Sequence, residues 1–170
     1  VQGGALIFRE KDERAAQAGE VRTVIGGVLS PFNAWLILRG LRSLACRMER
    51  HAANALAVAK ALEGHPKIEA VHYPGLPSHP GHEIATRQMD GYGGMLSFRV
   101  KGGREEALKA ASRVKLFFNA TSLGDPVTRI TPRKEEKPRG IPALFTRVSV
   151  GLEEPEDLIA DFKQAIARCG

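Results

Sequence analysis

The polar and apolar positions of this chain change period along its length, and each change predicts a different element. Residues 41–62 carry Leu44, Met48, Ala52, Ala55, Leu56, Ala59 and Leu62 at helical spacing, which predicts one long helix. Just before it, Ser30-Pro31 opens a shorter helix, with Ser30 as N-cap and Pro31 at the first helical position. Phe32, Trp35, Leu36 and Leu38 form its apolar face, and Gly40 is expected to break or bend it. Glu63-Gly64-His65-Pro66 stops the long helix, with glycine as C-terminal cap and proline beyond. Upstream, Gly3-Gly4 runs into Ala5-Leu6-Ile7-Phe8, read as a strand, and residues 11–19 form a polar, Ala-containing helix. A loop at Gly26-Gly27-Val28-Leu29 follows.

Beyond the long helix the periods shorten. Residues 68–73, 95–100 and 115–118 read as strands, and residues 82–89, 104–112 and 153–167 as helices. The Pro/Gly-dense run from Pro74 to Gly81 is a loop, Gly102-Gly103 a turn, and residues 126–142 an irregular, basic, mobile stretch. Glu153, Glu154, Glu156 and Asp157 suit the positive end of the last helix. Residues 145–153 alternate as a strand, with Thr146, Val148, Val150 and Leu152 on one side and Phe145, Arg147, Ser149 and Gly151 on the other. The order from Ile68 onward predicts an α/β domain, with helices covering one face of a mixed or mainly antiparallel sheet.

Arg147 stands in the middle of that last apolar strand. A guanidinium there is costly to bury unless an anion meets it. Its planar fork suits a carboxylate or phosphate. Arg147 is thus a structural ion-pair partner or a receptor for an acidic ligand, and charge pattern by itself favours the structural role.

Composition narrows the classes. A chain of 170 residues, 43% hydrophobic and 26% charged, has the make-up of a globular protein of one domain, or of one small domain and part of another. No apolar run approaches the roughly 20 residues that cross a membrane, and no signal-peptide pattern opens the chain, so a cytoplasmic, membrane-free protein is expected. Cys46 and Cys169 lie far apart and suggest free thiols. The net charge of +6 is spread out. Its densest cluster, Arg129 to Arg139, contains Glu135 and Glu136 and no interleaved aromatic residue, which argues against nucleic acid as a partner.

Few side-chain groupings promise chemistry. His79-Pro80-Gly81-His82 lacks the further ligands of a zinc site and reads as a solvated turn. His51, His65 and His72 read as structural or surface residues. In Thr121-Ser122-Leu123-Gly124-Asp125, a serine at a strand-to-loop junction can aim its hydroxyl and backbone N–H into a cleft, but no Gly-x-Ser-x-Gly pattern accompanies it. Gly26-Gly27 and Gly93-Gly94 lack the lysine and spacing of a phosphate loop.

Taken in order, several segments resemble one family. They are Ser30-Pro31-Phe32-Asn33-Ala34-Trp35-Leu36-Ile37-Leu38-Arg39-Gly40-Leu41-Arg42-Ser43-Leu44, Arg47-Met48-Glu49-Arg50-His51, Asn54-Ala55 and Val71-His72-Tyr73-Pro74-Gly75-Leu76-Pro77-Ser78-His79-Pro80. Further along come His82-Glu83-Ile84-Ala85-Thr86-Arg87-Gln88-Met89, Gly93-Gly94-Met95-Leu96-Ser97-Phe98, Thr121-Ser122-Leu123-Gly124 and Arg147-Val148-Ser149-Val150-Gly151-Leu152-Glu153. Together they resemble the Cys/Met-metabolism, or transsulfuration, family of pyridoxal-phosphate enzymes. That family includes cystathionine γ-synthase, cystathionine γ- and β-lyases, methionine γ-lyase and O-acylhomoserine sulfhydrylases.

The resemblance implies the carboxy-terminal portion of a fold-type-I enzyme. Residues 1–45 would be the tail of the cofactor-binding large domain, and residues 46–170 the small domain with its linking helix. It implies elimination or replacement at Cβ or Cγ of a sulfur-containing or O-acylated amino acid, pyridoxal 5'-phosphate as cofactor, and a homo-oligomer, typically a homotetramer. Arg147 matches the arginine that grips the substrate α-carboxylate, and Ser122 the serine beside it. By the same pattern the Schiff-base lysine would fall about eight residues before Val1. The partner of the pyridine nitrogen, the ring-stacking aromatic and the residues donated to the cofactor phosphate would also lie upstream. Lys11, Lys60 and Lys67 match none of these positions, so no catalytic or cofactor-binding residue is nominated and this chain alone is expected to be inactive. Residues 129–140 depart from the family's Pro-Ala-Ser-Met-Thr-His-like loop, being shorter and more charged. A different class remains open, a non-catalytic amino-acid-binding or interaction module, whose exposed apolar helix 32–41 would self-associate.

Overall fold

The computed structural model describes residues 2–133 and 145–167. The chain divides into two compact units, Val1–Ala45 and Cys46–Gly170. In the first unit, α1 (Glu13–Val24) is capped by Asp12, whose carboxylate accepts the Ala15 amide at 2.9 Å. This helix runs five residues past its predicted end at Gly19, because one glycine costs about 1 kcal/mol and does not stop a helix. Helix α2 (Pro31–Leu41) starts as predicted, with Ser30 as N-cap. It keeps Gly40 inside and ends one residue later. The strand expected at residues 5–8 does not form: Leu6 and Ile7 are 77% and 94% exposed, and no strand among the described residues pairs with them.

The second unit is a sheet covered by helices. The long helix α3 (Leu44–Glu63) precedes β1 (Ile68–His72), α4 (His82–Gln88), β2 (Met95–Val100) and α5 (Gly103–Arg113). Then follow β3 (Phe118–Asn119), β4 (Arg129–Pro132), β5 (Thr146–Ser149) and α6 (Pro155–Ala167). The five strands run in the order β1-β2-β5-β4-β3. All neighbours pair antiparallel except β3 and β4, which are parallel.

One sheet face makes the core. Leu96, Phe98, Val100, Ile130 and Val148 are buried with Val58 and Leu62 of α3, Ala110 of α5, and Leu158, Phe162 and Ile166 of α6. At about 25 cal/mol per Å2 of apolar area, such side chains each contribute on the order of 1.5–3 kcal/mol. Phe162 joins the layers, edge-on to Phe98 and tilted against Phe117 with centroids 4.5 Å apart. Tyr73 is fully buried at the start of the Pro/Gly loop, and its hydroxyl donates to the Gly93 carbonyl at 2.9 Å. Burial, reinforced by Tyr92, pushes that phenol up to about 12.

Two strands differ from expectation. Residues 129–132, read as irregular, form β4, and the rest of that stretch from 134 lies outside the described residues. The charges and Pro132 suggested a loop, yet Thr128, Ile130 and Arg129, Thr131 alternate between the two faces, and pairing with β5 satisfies the backbone. Residues 115–117 are not strand but approach to β3. Their amides are taken by a side chain: the buried Asp161 carboxylate accepts the Lys115 and Leu116 amides, each at 2.8 Å. Glu153 also departs from its helical role. Its carboxylate accepts the Thr128 amide at 2.7 Å and the Thr128 hydroxyl at 2.8 Å, tying the end of β5 to the start of β4. No described helix is long and apolar enough to cross a membrane.

Candidate functional site: an arginine on the polar face of the sheet

β5 is the central strand, and its alternation sends Thr146 and Val148 into the core and Arg147 to the opposite face. Across the ladder Arg147 is flanked by Ser97 of β2 and Thr131 of β4. Its neighbours on this face are thus short and polar, which leaves room above a half-buried guanidinium.

The loop after β3 is tied down over this face at both ends. The Thr131 hydroxyl donates to the Ala120 carbonyl, and the buried Ser149 hydroxyl accepts the Gly124 amide at 2.9 Å. Gly124 turns the chain at φ +73°, a conformation that favours glycine. Between the two ties, the Thr121 and Ser122 carbonyls receive Arg147 Nη2, the Ser122 contact at 3.4 Å. The structure thus brings Arg147 and Ser122 together, but through the Ser122 backbone carbonyl. Ser149 and Thr131, which fix this loop, were not singled out from the sequence. The available signal was Ser149's place two residues after Arg147, hence on the same face.

The ion pairs and hydrogen bonds around Arg147 bear on its structural role. The ion pairs among the described residues are Arg50–Glu154, Arg99–Glu69, Lys109–Glu106 and Arg129–Asp125. None involves Arg147. Burial lowers its guanidinium below the ordinary arginine value, and the positive charge of Arg133 lowers it further. Two carbonyls occupy one nitrogen of a group that carries five N–H donors. Such a cation can accept a carboxylate on its remaining donors. The nearby acids serve other partners: Asp125 is held below the usual carboxylate range by Arg129 and the Val127 amide, and Glu153 holds Thr128.

Helix α3 anchors the far end of β5. His51 Nδ1 donates to the Val150 carbonyl at 2.6 Å, and Asn54 Nδ2 donates to the Gly151 and Glu153 carbonyls at 3.1 and 2.7 Å. Arg50 reaches the Glu153 carbonyl at 3.4 Å and pairs with Glu154 at 3.0 Å. His51 and Asn54 are buried structural residues. His79 and His82 are likewise engaged with backbone, the Gly81 amide and the Pro74 carbonyl, and the described residues contain no group of three or more side chains suited to a metal.

Comparison with known proteins gives these features a context. Residues 1–167 match the family described as Cys/Met metabolism PLP-dependent enzyme. The chain is 45% identical over 174 aligned positions to a cystathionine gamma-synthase of Mycobacterium leprae, covering 98% of this chain and 44% of that protein. It is also 45% identical to a cystathionine gamma-lyase of Dictyostelium discoideum, over 96% of this chain and 45% of the relative. Among solved structures, a Campylobacter jejuni chain assigned as an O-acetylhomoserine (thiol)-lyase superposes with a TM-score of 0.78 at 40% identity. The overlap covers 86% of this chain and 36% of that one, which carries a pyridoxyl-lysine monophosphate at position 205. The chain spans less than half the length of these relatives. With the match running through nearly every described element, the chain belongs to the family of Cys/Met metabolism PLP-dependent enzymes.

Proposed function

We propose that this chain contributes the amino-acid-binding half of a pyridoxal-phosphate-dependent transsulfuration enzyme. Arg147 holds the substrate α-carboxylate, and the Ser122 loop walls the same site. The enzyme eliminates or replaces a group at Cβ or Cγ of a sulfur-containing or O-acylated amino acid, as a cytoplasmic homo-oligomer. The observation that carries this reading is Arg147 itself, a half-buried cation on the central strand with no carboxylate partner among the described residues. Held by its fork, an amino acid is fixed in register. The bound cofactor supplies the electron sink.

The residues around Arg147 fit an amino acid and not the cofactor. Pyridoxal phosphate calls for a lysine, a partner for its ring nitrogen and a phosphate cradle. The acids near Arg147 are committed to Arg129 and Thr128. In this reading the 170 residues by themselves do not capture the cofactor covalently. Borohydride reduction after adding pyridoxal phosphate checks it, and a stoichiometric adduct on one lysine would count against it. The carboxylate role is tested by following the Arg147 side-chain resonances while titrating L-2-aminobutyrate. Arg147→Gln is expected to lose at least about tenfold in affinity, or ~1.4 kcal/mol. Unchanged binding refutes the assignment.

A second reading, an interaction module, draws on α2, whose Phe32, Trp35, Leu38 and Leu41 are all more than half exposed.

A further inference from the structure

One nitrogen of Arg147 is already engaged, and it is the nitrogen that a two-point grip on a carboxylate needs. A carboxylate meets a guanidinium at two points across the Nε–Nη2 edge or across the Nη1–Nη2 edge, because the third side of the plane faces the arginine's own Cδ. Nη2 belongs to both edges. In Arg147 it donates to the Thr121 carbonyl and, at 3.4 Å, to the Ser122 carbonyl. With one N–H to each carbonyl, both Nη2 donors are in use. A carboxylate can touch Nε or Nη1 singly while these contacts stand, but a two-point grip takes an Nη2 donor from the loop.

The middle of that loop depends on the same contacts. Its ends are tied to the sheet without Arg147. The Ala120 amide donates to the Ile130 carbonyl at 3.2 Å, the Ala120 carbonyl accepts the Thr131 hydroxyl, and the Gly124 amide donates to Ser149. Between these ends Thr121, Ser122 and Leu123 are exposed, and among the described residues their hydrogen bonds run to Arg147 Nη2. We infer that Arg147 anchors this loop as a strap and that the two roles exclude each other, so that two-point capture of a ligand carboxylate releases residues 121–123 from the sheet. The inference rests on the reading of Arg147 as a carboxylate receptor. It makes the loop a competitor of the ligand. The short tether between Ala120 and Gly124 keeps the carbonyls at high effective concentration, and the measured affinity is the intrinsic one reduced to the fraction of time that Nη2 is unoccupied.

The test follows the backbone carbonyl 13C signals of residues 120–124 in the full chain while L-2-aminobutyrate is added. The expected result is an upfield shift at Thr121 and Ser122, toward the positions they take in Arg147→Met without the amino acid. That variant keeps the side-chain length and has no donor. Ala120 should change little, because its carbonyl is held by Thr131. Untying the far end of the loop with Ser149→Ala should weaken the competitor and tighten aminobutyrate binding by about threefold. Thermal unfolding checks that each variant is folded, and if Ser149→Ala is not, the carbonyl shifts of the unaltered chain decide. Unmoved Thr121 and Ser122 carbonyls at saturating aminobutyrate, with affinity lost in Arg147→Met, overturn the strap and leave the receptor reading standing. A folded Ser149→Ala chain that binds equally or more weakly also overturns the strap. Absent binding, or binding indifferent to Arg147→Met, overturns both.

Discussion

At the scale of the residue, a few side chains spend their hydrogen bonds on holding others in place. Asp161 organises the approach to β3, Ser149 and Thr131 pin the Ser122 loop, and Glu153 joins β5 to β4 through Thr128. Gly151 shows how tight the last junction is. An added Cβ would meet the Thr128 nitrogen at 2.6 Å and also the Pro126 carbonyl oxygen and the Glu153 carboxylate. Two of these atoms are backbone and cannot swing aside. Gly151→Ala is expected to destabilise the protein by about 1–3 kcal/mol, the usual range for overpacking, read as a lower urea midpoint. Arg147 was legible from the sequence as a cation on an apolar strand. That it has no ion-pair partner among the described residues was not, because pairing depends on which distant acids the fold brings near.

At the scale of the element, α3 and β5 act together. The helix repeats His51 and Asn54 on one side, three residues apart, and both reach carbonyls just past the strand. Those carbonyls lie just past the Ser149 end of β5, so α3 sets where the strand stops. Asn54→Ala leaves the Gly151 and Glu153 carbonyls without this donor in a buried setting. It should cost about 1–3 kcal/mol, measured by thermal or urea unfolding. A loss within experimental error would show that water replaces the amide. Helix α3 was readable because its apolar spacing, its Gly64 stop and its length agree. Strand β4 was misread because Pro132 and a run of charges are local turn signals, whereas the pairing that overrides them comes from β5, fourteen to twenty residues later. The two-residue strand β3 shifted for a similar reason: Asp161, far along the chain, claims the amides just before it.

At the scale of the whole molecule, the apolar surface has a direct consequence. Phe32 and Trp35 of α2 are 67% and 58% exposed and lie against each other with ring centroids 6.1 Å apart. Water contact with several large side chains of one short helix favours association. Size-exclusion chromatography should show concentration-dependent self-association, reduced by Phe32→Ser combined with Leu38→Ser. A monomer at all concentrations, with the same elution for both proteins, would rule out this helix as the contact.

The sequence by itself determined the long helix, the strand that carries Arg147, the side of the sheet on which that arginine stands, and the family to which the ordered motifs belong. These are local or linear properties: period, capping residues and residue order. Only the tertiary structure decided that β5 lies at the centre of the sheet and that Thr131 and Ser149 fasten the Ser122 loop beside Arg147. Each of these depends on contacts between segments far apart in the chain, where strand register and the positions of charges are fixed by packing, which no local pattern of residues encodes.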